Sequence, residues 1–197
     1  MAVTPIKKVL VVDDTKNIRT LLTTCLEIEG YQVLTANDGK QALEMLAGER
    51  FALVFLDIKL PEFSGTEVLR KMREHGDHTP VIIMTAFATV KNAVECTKLG
   101  AVAYLQKPFT ADKVRHVLQE ILAGLENQSQ DLRAILDGCR ELMAGNKLDE
   151  AYQKLKQALA MDPSRGETYQ LLAVIHERQG NTKEAERFKA IARQFEV

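Results

Sequence analysis

Tryptophan is absent from this 197-residue chain, and aromatic residues amount to only 6%. So sparse a supply of flat rings argues against recognition of single-stranded nucleic acid by base stacking. The three cysteines, Cys25, Cys96 and Cys139, are odd in number, far apart and without a C-x-x-C pair. They read as buried thiols of a reducing compartment, not as a disulfide frame or a zinc site. Neither sign of charge is in excess, since 26 basic and 27 acidic residues leave a formal net charge of -1. A chain-wide basic footprint for nucleic acid or an anionic membrane is therefore missing. No apolar run approaches the ~18 residues of a membrane span. The run Val9–Val12 is also too short for the apolar stretch of a signal peptide. A soluble, cytoplasmic protein is expected, with no nucleic acid and no membrane among its partners. What the chain does have, 46% hydrophobic and 27% charged residues, is an ordinary globular mixture for one or two domains.

Up to about residue 125, short apolar runs alternate with longer amphipathic ones. The short runs are Val9–Val12, Tyr31–Thr35, Ala52–Leu56, Val81–Met84 and Val102–Leu105, mostly β-branched or aromatic and of strand length. Between and after them, apolar pairs recur at helical spacing: Leu21-Leu22 with Cys25-Leu26, Ala42-Leu43 with Met45-Leu46, Val68-Leu69 with Met72. Val90, Ala93-Val94 and Leu99 give a fourth helix, and Val114, Val117-Leu118 and Ile121-Leu122 a fifth. Gly30, Gly48, Gly76 and Gly100 fall where left-handed helix ends favour glycine. Five β-α units in series predict an α/β fold, a doubly wound five-stranded parallel sheet with helices on both faces.

After Gly124 the pattern changes. Glu126–Asp131 is polar and reads as a linker or as an extension of the fifth helix; residues 132–197 read as helix throughout. Asp149-Glu150-Ala151 recurs as Lys183-Glu184-Ala185, 34 residues later, each preceded by a glycine turn at Gly145 or Gly180. A 34-residue helix-turn-helix period with small residues at the helix contacts resembles tetratricopeptide repeats, in two units. Aligning the two glycines makes the first turn one residue longer than the second. Two hairpins alone expose apolar faces, so a cover for Ile135, Cys139 and Leu142, and for Ile191 and Phe195, is expected.

The chemistry concentrates at strand ends. Asp13-Asp14 follows the first strand, Asp57 ends the third, Thr85 follows the fourth and Lys107 the fifth. Ligands of open parallel sheets bind outside the carboxyl ends of strands, where the strand order reverses. If the first and third strands are neighbours there, three carboxylates converge, and like charges so close call for a cation. Oxygen ligands without His or Cys point to Mg²⁺. A hydroxyl and an ammonium aimed at such a cluster suit the oxygens of a phosphoryl group. Each residue also has a plainer role: Asp13 or Asp14 as a helix cap, Asp57 as a turn residue, Thr85 as a strand-end hydroxyl, Lys107 as a solvated charge. Asp38 and Ser64 read as helix N-caps. The isomer of the Lys107–Pro108 bond stays open.

Val9–Asp14, Val54–Pro61, Met84-Thr85-Ala86 and Tyr104–Phe109 resemble the receiver domain of two-component response regulators, over residues 6 to about 123. The resemblance implies that Asp57 is a phosphoacceptor served by a sensor histidine kinase or a phosphotransfer protein. It implies Mg²⁺ held directly by Asp14 and Asp57, with the Lys59 backbone carbonyl and, through water, Asp13. Thr85 would bond the phosphoryl group, Lys107 would pair with it, and Tyr104 would be an aromatic switch. The implied protein is a signalling phosphoacceptor, not an enzyme in the ordinary sense. Its phosphorylation would switch the repeats, which bind an unknown protein partner, by changing their packing on the receiver or in a homodimer. The domains would be 1–125, a connector at 126–131, and repeats at 132–197.

Other classes fit less well. A Mg²⁺-dependent phosphohydrolase with an Asp nucleophile lacks a carboxylate two residues beyond Asp57, where Lys59 stands. A nucleotide or flavin site needs a glycine-rich turn where Asp13-Asp14-Thr15 would repel phosphate. A DNA-binding regulator is opposed by residues 126–197, which hold 11 basic and 12 acidic residues and no basic recognition helix.

Overall fold

The structure, a computed structural model, describes residues 7–86 and 90–195, without the side chains of residues 90, 91 and 93. The initial segment through Ile6 thus lies outside the described residues. Two compact units meet in sequence at Ile121 and Leu122. The first contains β1 (Lys8–Val12), α1 (Lys16–Ile28), β2 (Gln32–Ala36), α2 (Gly39–Gly48), β3 (Leu53–Asp57), α3 (Gly65–Glu74), β4 (Val81–Thr85), α4 (Val90–Lys98) and β5 (Ala101–Gln106). The long α5 (Ala111–Ala144) spans the boundary in sequence, and α6 (Leu148–Met161), α7 (Gly166–Arg178) and α8 (Thr182–Gln194) follow in the second.

The five strands are parallel in the order β2-β1-β3-β4-β5. The chain steps outward from β1 to β2, then returns to pair β3 on the other side of β1, so strand order reverses between β1 and β3. Near-continuous apolar strands bury both faces: Val9–Val12 and Val54–Leu56 have no exposed surface. Leu10, Val12, Val54, Leu56 and Ile83 pack with Val68, Leu69 and Met72 of α3. Their neighbours Val9, Val11, Phe55 and Ile82 turn to the opposite face by the two-residue strand period. Each such side chain contributes about 1.5–3 kcal/mol relative to exposure.

Local chemistry sets the helix ends. Asp38 accepts the Gln41 amide at 2.8 Å and Ser64 the Glu67 amide at 3.2 Å, as N-caps do. Gly30, Gly76 and Gly100 have positive φ, but Gly48 does not. Gly48 is the last residue of α2, and Glu49 turns the chain out in an extended conformation with φ -138. All three cysteines are buried free thiols. No helix among the described residues is long and apolar enough to cross a membrane.

In the second unit the polar stretch Glu126–Asp131 is helical, continuous with the rest of α5. The two hairpins repeat bond for bond. Lys147 N donates to Leu142 O and Asn181 N to His176 O, both at 2.8 Å; Gly145 N donates to Glu141 O and Gln179 N to Ile175 O, both at 3.0 Å. Both turns are therefore three residues long, and the residue in the left-handed region is Asn146 (φ 58) in one and Gly180 (φ 77) in the other. The longer first turn expected from matching the glycines is thus incorrect. Asn146, 34 residues before Gly180, occupies the equivalent position because asparagine tolerates it.

For Ile135, Cys139, Leu142 and Phe195 the expected cover lies within the unit itself. Leu132, Leu136, Cys139, Ala151, Leu155 and Leu172 form the unit's own core, with Ile135 and Leu142 packed against it. Phe195 stacks on Tyr169 at 5.7 Å, and α8 turns Lys183, Glu186, Arg187 and Gln194 outward. Among the described residues, the exposed large hydrophobics are Ile28, Val94 and Val102, all in the first unit. A terminal helix with a polar outer face closes a repeat array.

Asn146→Gly is expected to keep or raise the thermal midpoint, and Asn146→Val to lower stability by about 1–2 kcal/mol, the left-handed penalty for a branched residue. Thermal denaturation of the full chain checks both; equal midpoints would mean the turn does not hold this conformation.

Candidate functional site

The order reversal between β1 and β3 brings their carboxyl ends side by side, and with them the acidic residues. Asp13 has no exposed surface and Asp57 only 5%, while Asp14 is exposed at the rim. One carboxylate oxygen from each of the three lies within 4.8 Å of the others. Asp13 does not act as a helix cap: the α1 N-cap is Thr15, without a side-chain cap bond. Instead Asp13 Oδ1 accepts the Thr15 amide at 3.0 Å, and Asp14 Oδ1 accepts the Thr15 hydroxyl at 3.1 Å. Arg19 donates to the main-chain carbonyls of Asp13 and Asp14 at 2.7 and 3.0 Å, which fixes the loop.

Asp57 ends β3, with its Oδ1 accepting the Lys59 amide at 3.2 Å. Its Oδ2 accepts the Lys107 ammonium at 2.7 Å, and that ammonium lies 2.5 Å from Asp13 Oδ2. Lys107 follows β5, its amide donates to Thr85 O at 2.8 Å, and its bond to Pro108 is cis. Thr85 ends β4, one residue past the Met84 that pairs with Asp57, and is 2% exposed. Asp13, Asp57, Thr85 and Lys107 are thus gathered at adjacent strand ends. Lys59 is exposed, with its amide toward Asp57. Tyr104, three residues before Lys107, is half-buried; its hydroxyl donates to Asn92 O of α4 at 3.3 Å.

Among the described contacts, three carboxylates gather about the one Lys107 ammonium. Burial holds the Asp57 carboxyl above its ordinary range, and the Asp13 charge adds to this, outweighing the bonds from Lys107 and the Lys59 amide. Burial would lower the Lys107 ammonium, but its bonds to Asp13 and Asp57 and their charges hold it above its ordinary value. Burial pushes the Tyr104 phenol up to about 12, helped by Cys96. Among the described residues, the buried Asp13 Oδ2 has Lys107, 2.5 Å away, as its one partner. A hard oxygen set of three carboxylates beside the Lys107 ammonium fits a divalent cation of the Mg²⁺ type.

Gly65 is a site residue that the sequence pattern hides inside the run Pro61–Gly65. A Cβ there would fall 2.0 Å from Asp57 O. Its amide also donates to Ile58 O at 2.9 Å, so the start of α3 is locked beneath the Asp57 backbone. Glycine at the first position of a helix is the one signal that could have marked it.

The family model of the response regulator receiver domain matches residues 9–119. The chain belongs to the response regulator receiver family. The tetratricopeptide repeat model matches residues 142–190. Sporulation initiation phosphotransferase F of Bacillus subtilis (strain 168) is 40% identical over 116 residues, covering 59% of this chain and 94% of that protein. Regulatory protein AtoC of Escherichia coli (strain K12) is 38% identical over 130 residues, 66% of this chain; the chain spans only 28% of AtoC. Among solved structures, the CheY-like receiver domain protein of Methanospirillum hungatei JF-1 has a TM-score of 0.58 at 34% identity, covering 64% of this chain and 98% of that one. Response regulator protein TrrA of Thermotoga maritima, solved in complex with Mg(2+)-BeF, has a TM-score of 0.53 at 34% identity, covering 58% of this chain and 98% of that one. Proteins with this receiver domain are signalling phosphoacceptors, working with histidine kinases or phosphotransfer proteins.

Two outcomes test the receiver's geometry. Gly65→Ala is expected to cost at least about 1–3 kcal/mol, the range for overpacking, read as a lower urea midpoint. Asp57→Asn is expected to raise the thermal midpoint of the metal-free protein at neutral pH. With its folded pKa raised, Asp57 favours the fold fully below the unfolded carboxylate pKa and loses that contribution as pH rises through the folded value. The gain from Asn should therefore shrink to nothing as pH falls below the ordinary carboxylate range; a gain constant with pH would refute the cause given.

Proposed function

We propose that this protein is a phosphorelay response regulator in which Asp57 accepts a phosphoryl group from a histidine kinase or phosphotransfer protein, and that this switches the repeats as a protein-binding module. The observation that carries the reading is the buried Asp57 carboxylate, bonded to Lys107 and crowded by Asp13 and Asp14. In the transfer, an Asp57 oxygen attacks phosphorus, the nitrogen–phosphorus bond of the donor phosphohistidine breaks, and its electron pair stays on the imidazole. A carboxylate held above its ordinary pKa is the more nucleophilic for it, and its lysine favours the charged form.

Asp14 and Asp57, the Lys59 carbonyl and, through water, Asp13 would hold Mg²⁺. When bound, the ion neutralises the carboxylates and disperses charge on the phosphoryl oxygens. Lys107 supplies the opposing positive charge and pairs with the phosphoryl group once it is on Asp57. The Thr85 hydroxyl bonds another of its oxygens, and Tyr104 reports that movement to α4. The receiver would run to about residue 125 and the repeats from 132, with 126–131 as helix joining them. Phosphorylation reaches the repeats through α5, which both units share. The balanced charge of residues 126–197 favours a protein partner over DNA for the repeats.

Acetyl phosphate or a cognate kinase with Mg²⁺ is expected to label the wild-type chain, and Asp57→Asn to take up less than a hundredth as much. Excess EDTA should abolish labelling of the wild type. Phosphopeptide mapping that finds Mg²⁺-dependent label on the Asn variant would overturn the assignment.

A further inference from the structure

A second charged side chain is built into the receiver at the opposite end of the sheet. Arg73 of α3 donates from Nε to Leu99 O at 2.9 Å and from Nη1 to Asp77 O at 2.6 Å. Its Nη2 donates to Thr79 O and to Gly100 O, both at 3.2 Å. Asp77 Oδ1 in turn accepts the Thr79 amide at 2.8 Å and the Thr79 hydroxyl at 2.6 Å, stiffening the loop that the guanidinium holds. The four acceptors are main-chain carbonyls of two separate loops. Thr79 leads into β4, Leu99 follows α4, and Gly100 immediately precedes β5. A planar fork of five donors suits such a divided set; an ammonium has three and no fixed plane.

The same region carries an irregularity. Val81 pairs with Ala101 but Ile82 with Ala103, so Val102 is skipped and stands 42% exposed. A bulge at a strand's start leaves one residue out of the ladder and bends the strand there. Arg73 grips the residue before this strand. Two further contacts tie α4 to α3: Arg70 to Glu95 at 2.6 Å and Thr66 Oγ1 to Cys96 Sγ at 3.8 Å. The opposite ends of β4 and β5 carry Thr85 and Lys107, about 15 Å away along strands rising ~3.3 Å per residue. Tyr104 on β5 bonds α4 through Asn92.

A local change moves a distant element in a defined direction only if that element is fixed elsewhere; otherwise the displacement is absorbed. We infer that Arg73 is a positioning residue of the switch, anchoring the α4–β5 junction so that a change at Thr85 and Tyr104 turns α4 about a held end. The inference rests on the reading of Tyr104 as the reporter of phosphorylation. Arg73 touches none of the phosphoryl-site residues, so its loss should leave the chemistry at Asp57 intact.

Ring NMR signals of isotope-labelled tyrosine, in the full chain with Mg²⁺ and with or without beryllofluoride, test this. Only four tyrosines are present, and Tyr104→Phe identifies the signal. Arg73→Gln is expected to bind beryllofluoride within twofold of wild type by the fluorine signal. Its Tyr104 response should nonetheless fall at least threefold. A variant that loses thermal stability yet keeps the full Tyr104 response would make Arg73 a structural bond only and overturn the inference. A wild-type Tyr104 signal unmoved by bound beryllofluoride would overturn the Tyr104 reading itself, and the inference with it. Should Arg73→Gln not fold, Arg73→Lys keeps the charge with fewer donors, and its response should fall at least twofold; a full response would overturn the proposal.

Discussion

One ammonium serves two buried carboxylates: Lys107 lies 2.5 Å from Asp13 and 2.7 Å from Asp57. The rest of the receiver is arranged around that shortage of positive charge. The central strands β1, β3 and β4 are buried on both faces, and the order reversal between β1 and β3 opens a crevice at their carboxyl ends. Asp13 and Asp57 have to share it, with Asp14 at its rim. Burial and mutual repulsion then hold Asp57 above its ordinary pKa, and Lys107 relieves only part of the strain. A pocket in this condition gains from a divalent cation and from a group that brings oxygens to the lysine.

Much of this was legible in the sequence because the determinants are local. A strand of four or five apolar residues followed by Asp, Thr or Lys states both its burial and which end carries the polar group. Asp38 and Ser64 announce their helices in the same way, through a side chain that reaches an amide three residues on. What was not legible depends on contacts distant in sequence or on backbone angles. Gly65 matters because the Asp57 backbone passes where its Cβ would be, and no neighbouring residue says so. Arg73 is one of many arginines until two loops close on it. The turn at Asn146 misled for a different reason: two glycines look equivalent, but the left-handed residue of the first turn is an asparagine.

The second unit solves a different problem. Two hairpins have little core, and the expectation that their flanks need a partner treats half-apolar helices as apolar. The distribution within each helix removes that need. α8 gives Ala185, Phe188 and Ala192 to the inside and charged residues to water, and Phe195 closes over Tyr169. Ile135, Leu142 and Phe195 are thus covered from within the unit. The helix α5 belongs to both units in sequence.

At the centre of the receiver, Asp13, Asp14 and Asp57 form a pocket that a divalent cation would neutralise. Its most direct test is the thermal midpoint of the full chain against Mg²⁺ concentration, for the wild type and for Asp57→Asn. Ligand binding to the native state raises stability as RT ln(1 + [L]/Kd). The account predicts a midpoint that climbs with Mg²⁺ in the wild type and a climb at least several-fold smaller in the variant. A wild-type midpoint indifferent to Mg²⁺, or an equal climb in both proteins, would contradict it.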